Sequence, residues 1–258
     1  LTATYLDRII ARHRERSSVD RRPIDQLIDE ARAMPPARGF RSALCGRSAL
    51  GVIAEIKRRS PSKGDLNANL DPAEWARIYE RGGAACLSVL TDEEFFGGSA
   101  DDLAAAREAC ALPVIRKDFT VSERDVVDAR LMGADCVLLI AAALDAAELR
   151  AFHELAVEVG IDALVEIHDE AELDVALGAR ATLIGVNQRD LISFEVDHDR
   201  AARLAGVIPD RAVKVAESGV RGGDDARALA EVGYDAVLVG ETLVTSDDPA
   251  TTIAELIS

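Results

Sequence analysis

One phrase recurs along the chain: a helical pattern, a glycine, a short polar step, then an apolar run. Its instances are ERGGAACLSVL, LMGADCVLLIA, EVGIDALVEI, LGARATLIGVN and EVGYDAVLVG. The glycines Gly83, Gly133, Gly160, Gly178 and Gly233 are expected at helix C-termini, where the backbone turns left-handed. The runs after them are rich in Val, Ile and Leu and too short for helices, which suits parallel strands buried on both faces. Helix starts repeat as regularly. Asp71, Ser99, Ser122, Asp145 and Asp169 each precede an acid three residues on, the pattern of an N-cap with an acidic third position. Asp248-Pro249 opens the last helix in a related way.

The strands expected are Val52–Ile56, Ala85–Leu90, Val114–Lys117, Cys136–Ala141, Ala163–Ile167, Leu183–Asn187, Val213–Glu217 and Ala236–Val239, eight in all. Each precedes a plausible helix. Eight alternating βα units in 258 residues predict an α/β fold of the (β/α)8 barrel type. A doubly wound open sheet would have fewer strands, and no GxGxxG follows the first one. Ahead of the barrel lie helical stretches near Ala3–Arg16 and Pro23–Ala33, then a Pro35-Pro36 break. We read 1–48 as an N-terminal helical extension covering one barrel end, and 49–258 as the catalytic barrel.

Composition narrows the function. Lys plus Arg is 30 against 46 Asp plus Glu, a net charge of −16. That acidity disfavours nucleic acid and anionic membrane surfaces as partners. Hydrophobic residues make up 48 %, yet no run approaches the ~20 apolar residues of a membrane helix. The charged N-terminus has no signal-peptide core. Cys45, Cys86, Cys110 and Cys136 are scattered without metal-ligand spacing. They read as free thiols of a cytoplasmic protein, with Cys86 and Cys136 in the core.

Only four of the 30 cations are lysine: Lys57, Lys63, Lys117 and Lys214. Where arginine is used so freely, a retained lysine is a candidate for chemistry that guanidinium cannot do, because lysine can release its proton. Chance suffices for Lys63 and Lys214. Barrel active sites lie at the C-terminal strand ends. There the sequence places Glu55 and Lys57, which share one strand face, then Lys117, Glu166, Asn187 with Arg189, Glu217 with Ser218, and Gly240 with Glu241. Lys214 is out of phase with Glu217 and should point outward. His168 lies beside Glu166 but is expected to turn elsewhere. Carboxylates and lysines converging on one mouth suggest acid–base catalysis.

The turns Glu217-Ser218-Gly219-Val220-Arg221-Gly222-Gly223 and Val239-Gly240-Glu241-Thr242 follow strands seven and eight. This is the usual phosphate position of the fold, and glycine lets an anion reach the backbone. With aromatics at only 4 %, Phe96 and Phe119 near the mouth suggest walls for a planar substrate; Phe95 is better read as core. The basic segment Lys57–Gly64 reads as a solvated loop or as a flap over an anionic ligand.

These residues sit in IAEIKRRSPSKG, LTDEEFFGGS, PVIRKDF, ALVEIH, IGVNQRDL, VAESGVRG and AVLVGETLV. In order and spacing the sequence closely resembles the indole-3-glycerol-phosphate synthase family of tryptophan biosynthesis. The resemblance implies a decarboxylating ring closure and dehydration of 1-(2-carboxyphenylamino)-1-deoxyribulose 5-phosphate, without metal or organic cofactor. It implies Lys117 as general acid for ring closure, with Glu166, Glu55, Lys57 and Asn187 completing the catalytic set. Ser60, Gly219, Gly240 and Glu241 would hold the phosphate, and the Glu241 side chain would then have to point away. Asn187, Arg189, Glu217 and Ser218 would orient the ribulose hydroxyls, and Phe96, Phe119, Leu138 and Leu238 would line the substrate site. The runner-up is a phosphoribosylanthranilate isomerase, but the Cys45-Gly46 pair that could suggest one precedes the first strand. A non-catalytic phosphosugar-binding barrel would be expected to have lost the acid–base set that is present here.

Overall fold

Eight parallel strands close into a barrel in the computed structural model, which describes residues 4–61 and 63–258. They are β1 (Gly51–Ile56), β2 (Cys86–Leu90), β3 (Val114–Lys117), β4 (Cys136–Ile140), β5 (Asp162–Ile167), β6 (Leu183–Asn187), β7 (Val213–Glu217) and β8 (Ala236–Val239). Every expected strand is present, each bound within one residue of its expected place. β8 pairs with β1 in parallel, Ala54 opposite Val239, which seals the ring.

The helix starts form as the sequence reads. Asp71, Ser99, Ser122, Asp145, Asp169 and Asp248 each accept a hydrogen bond from a first-turn N–H. Such a cap stabilises a helix by roughly 1 kcal/mol over alanine. Four of the five phrase glycines have positive φ, from +79° at Gly160 to +94° at Gly233. Gly178 does not. It is the last residue of helix Glu170–Gly178, and Arg180 takes the left-handed position at φ +64°. That helix ends five residues before its strand, as Pro72–Arg81 and Glu123–Leu131 do, so the left-handed place falls at 180, the glycine lies two residues early on the helix, and an arginine bears the strain.

Strand alternation divides the core. Outward residues such as Val52, Leu87 and Val165 pack under the helices. Inward residues Ile53, Cys86, Ile115, Cys136, Leu164, Leu183 and Val215 fill the barrel. Cys86, Cys110 and Cys136 are buried free thiols, and Cys45 is an exposed one.

The N-terminal segment reaches both barrel ends, not the one expected. It forms helices α1 (Tyr5–Val19), α2 (Ile24–Ala33) and α3 (Phe40–Leu44); Ala3, where the first helical stretch was expected to begin, lies outside the described residues. Phe40 and Leu44 of α3 are 0 % and 1 % exposed and plug the N-terminal end against Ile53 and Cys86. Burying side chains of this size stabilises by ~1.5–3 kcal/mol each. Between the ends the chain runs down the outside, where Arg22 pairs with Asp128 at 2.7 Å and Arg32 with Glu158 at 2.5 Å. α1 lies across the opposite end, with Tyr5, Leu6 and Ile9 on the mouth. The sequence shows an amphipathic extension but not that one segment spans the barrel, because the contacts that decide this join distant parts of the chain, His13 with Asp92 and Arg22 with Asp128 among them.

The segment after β1 folds into a small hairpin, Arg59–Ser60 antiparallel to Gly64–Asp65. Ser62, within the expected loop, lies outside the described residues. Arg58 anchors the base of this hairpin through Asp102 Oδ1 at 2.9 Å.

Candidate active site

The C-terminal strand ends enclose a pocket of about 390 Å³. Its walls include Glu55, Lys57, Ser60, Phe96, Lys117, Phe119, Leu138, Glu166, Asn187, Arg189, Glu217, Ser218, Gly219, Leu238, Gly240 and Glu241. The structure therefore brings every residue singled out for the site to one cavity. Lys214 stays out. It faces away from the axis and donates from Nζ to the Ala205 carbonyl at 3.0 Å. Phe95 also lies outside the pocket lining, but it is half-buried instead of in the core as expected, because it packs edge-on against Tyr5 of α1 at the mouth.

Three ion pairs organise the floor. Lys57 Nζ lies 2.5 Å from Glu55 Oε1. Lys117 Nζ lies 3.2 Å from Glu166 Oε2 and 3.4 Å from Glu217 Oε2. Glu55, Glu166 and Glu217 are 5 %, 1 % and 1 % exposed, so their charges are only weakly screened by water. Two inward positions are glycine for this reason. A Cβ on Gly240 would sit 2.3 Å from Glu55 Oε1, and one on Gly185 would sit 2.0 Å from Glu217 Oε1.

Burial pulls the Lys117 ammonium toward deprotonation, but Glu166, Glu217 and Glu55 outweigh it and hold its pKa above the ordinary lysine value. This differs from the expected lysine poised to lose its proton. Three carboxylates around one ammonium fix the direction, so Lys117 enters the reaction charged. Burial raises the Glu166 pKa, yet Lys117, His168 and Asn187 together bring it below the usual carboxylate range. Burial pushes the Glu217 carboxyl up to about 8, with Lys117 opposing the rise and Glu166 and Glu55 adding to it.

The raised Glu217 pKa predicts a pH effect on stability. Between the ordinary value of 4.5 and about 8 the folded state keeps a proton that the unfolded state has lost. Its contribution is thus fully present below 4.5 and lost as pH rises through 8. Glu217→Gln removes that loss, so its melting temperature at pH 8.5 should exceed the parent's by at least about 2 °C. The gap should close at pH 5. Thermal melts at the two pH values check this, and equal gaps would contradict it.

Asn187 links the pairs to the rim. Its Nδ2 donates to Glu166 Oε1 at 3.0 Å, and its Oδ1 accepts from Ser218 Oγ at 2.8 Å and from the Arg189 N–H at 3.0 Å. Ser218 and Gly219 both have positive φ, at +66° and +78°. Gly219 has no room for a side chain, because a Cβ would meet Val196 Cγ1 at 2.6 Å. Gly240 caps a short helix, Glu241–Val244, whose first N–H groups have no acceptor within the helix. The Glu241 side chain stays at the rim, 42 % exposed. It leans toward Lys63 Nζ at 3.5 Å and Arg189 at 4.0 Å, which gives Lys63 a partner at the rim.

Two features are absent from the sequence reading, and a third departs from it. α1 supplies Tyr5, Leu6 and Ile9 to the pocket, although Ile9 and His13 at i, i+4 already mark one buried helix face. Asp92 and Asp118 follow β2 and β3, and His13 Nε2 meets Asp92 Oδ2 at 3.0 Å and Asp118 Oδ1 at 3.8 Å. These three could in principle ligate a metal, but the Arg116 guanidinium 3.0 Å from Asp118 already supplies a cation. They fasten α1 to the mouth. Finally, His168 does not turn away from Glu166. It lies one residue past the end of β5, and its Nε2 lies 3.7 Å from Glu166 Oε1.

The family model for indole-3-glycerol phosphate synthase matches residues 6–256. The chain belongs to this family. Indole-3-glycerol phosphate synthase 2 of Streptomyces coelicolor is 55 % identical over 232 residues, covering 90 % of each chain. The Polaromonas naphthalenivorans indole-3-glycerol phosphate synthase is 45 % identical over 256 residues, covering 97 % of each. Among solved structures, a thiamine phosphate pyrophosphorylase from Pyrococcus furiosus superposes with a TM-score of 0.60 at 16 % identity, over 80 % of this chain and 93 % of that one. At that identity the likeness concerns the barrel alone. Membership in the synthase family fits the expected activity, in which indole-3-glycerol phosphate is formed for tryptophan biosynthesis.

Proposed function

We propose that this chain is a carboxy-lyase whose pocket binds 1-(2-carboxyphenylamino)-1-deoxyribulose 5-phosphate with the anthranilate ring between Phe96, Phe119 and Leu138 and the phosphate at the turns of Gly219 and Gly240. The observation that carries the reading is the Lys117 ammonium, held charged between Glu166 and Glu217 on the pocket floor. In ring closure the aryl carbon bearing the carboxylate attacks the ribulose carbonyl, whose oxygen becomes an alkoxide. An alkoxide is more basic than an amine, so Lys117 stabilises the growing charge and then gives up its proton. CO2 leaves and the ring regains aromaticity. Loss of water then needs an acid for the departing hydroxyl and a base for the neighbouring carbon's proton. Glu166 and the Glu55–Lys57 pair supply these, and Asn187 holds Glu166 in line.

Ser60, Arg189 and Lys63 complete an anion-binding rim on an otherwise acidic protein, with Glu241 orienting the two cations. Glu217, Ser218 and Leu238 line the sugar. The hairpin 57–64 would close over the phosphate. We take 1–48 as an extension that forms part of the site and 49–258 as the catalytic barrel. The reaction belongs in the cytoplasm; no helix among the described residues is long and apolar enough to cross a membrane.

The purified protein, given this substrate, should release one CO2 per indole-3-glycerol phosphate formed, followed by the rise of indole fluorescence. Inorganic phosphate should inhibit in competition with substrate. Absence of product would refute the activity, and non-competitive phosphate would refute the assigned phosphate site.

A further inference from the structure

His168 is a half-buried titratable group that the reaction scheme leaves unused. It does not line the pocket, so it cannot act on substrate directly. Glu172, on helix Glu170–Gly178, fixes it twice: Glu172 Oε2 accepts from the His168 backbone N–H at 2.8 Å and lies 3.0 Å from Nδ1. The ring is thereby set with Nε2 toward Glu166 Oε1 at 3.7 Å. That Nε2 is buried and has no hydrogen-bond partner among the described residues. Lys117 holds Glu166 at its other oxygen, Oε2, and Asn187 donates to Oε1, the oxygen that His168 faces.

We infer that His168 is a positioning residue, whose imidazolium, pinned by Glu172, backs Glu166 from behind the pocket wall and keeps that carboxylate charged and turned toward Lys117. Burial works against the charged ring, and so does Arg200 on helix Arg200–Ala205. Glu172 and Glu166 prevail and raise the His168 pKa above its ordinary value. Lys117 and Asn187 act on Glu166 in the same sense as His168, and Glu217 shares Lys117 with it. His168 is therefore one of three groups that hold Glu166 ionised, and the only one of them outside the pocket lining.

The inference rests on Glu166 acting as the acid–base carboxylate, and the two are tested separately. The imidazole titration of His168 is followed by NMR in histidine-labelled parent and Glu166→Gln protein, and kcat and KM are measured against pH for the parent and His168→Gln. Losing a neighbouring opposite charge shifts a titration by roughly one unit or more. The His168 titration should therefore fall by about one unit in Glu166→Gln. The acid limb of kcat should move up by about the same amount in His168→Gln, with KM little changed. An unmoved His168 titration in Glu166→Gln would overturn the inference, whether or not His168→Gln folds. So would a uniform loss of kcat at every pH with the limb in place, which is the mark of lost packing. Full turnover by Glu166→Gln, with the titration still shifted, would instead overturn the reading of Glu166 as the carboxylate that does chemistry.

Discussion

Replacing Glu166 by Gln should lower turnover by about 10²–10⁴ while leaving substrate affinity within about a factor of ten, ~1.4 kcal/mol. The carboxylate accepts from Asn187 on one oxygen and from Lys117 on the other. An amide of the same shape has a single acceptor oxygen, so one of these donors would face an NH2 group. The substitution also takes a negative charge from beside Lys117, one of three that keep it protonated. Both consequences fall on proton transfer rather than on the aromatic or phosphate contacts. Turnover and equilibrium binding measured on the same preparation separate them. A variant within threefold of the parent in turnover would remove Glu166 from the acid–base set.

The barrel was legible because its physics is local and periodic. The capping residues Asp71, Ser99, Ser122, Asp145, Asp169 and Asp248 act within one turn, and apolar runs of the right length follow. Where the local signal is shared between residues, the reading slipped, as at Gly178, where the turn passes to Arg180 two positions on. The pocket residues were legible because parity places Glu55, Lys117, Glu166, Asn187 and Glu217 on the inward side of their strands. Parity does not decide His168, which lies just past the end of β5 and is set by Glu172 instead.

What was not legible depends on contacts between distant segments. That α1 lines the mouth while α3 plugs the other end follows from Tyr5 and Phe40 meeting different ends of one barrel. The fastening of His13 to Asp92 spans 79 residues. The direction of the Lys117 pKa shift was equally hidden. It depends on three carboxylates from three strands lying around one ammonium, and the sequence shows each without showing their distances. Burial alone would have lowered the value.

The central claim is that the buried Lys117 ammonium donates the proton that drives ring closure. The most direct measurement pairs turnover with equilibrium substrate binding in Lys117→Met, with Lys117→Arg and Lys214→Arg alongside. Met keeps the length and apolar stem but carries no proton. Turnover in Lys117→Met should fall by about 10²–10⁴ or more, with affinity within about a factor of ten. Lys117→Arg should not restore it, because guanidinium holds its proton and its planar fork does not fit between Glu166 and Glu217 as an ammonium does. Lys214→Arg should turn over like the parent wherever it is folded, since that side chain contacts the Ala205 carbonyl outside the pocket. A Lys117→Met protein that turns over at close to the parent rate would contradict the account and leave Lys57 or Glu166 as the acid.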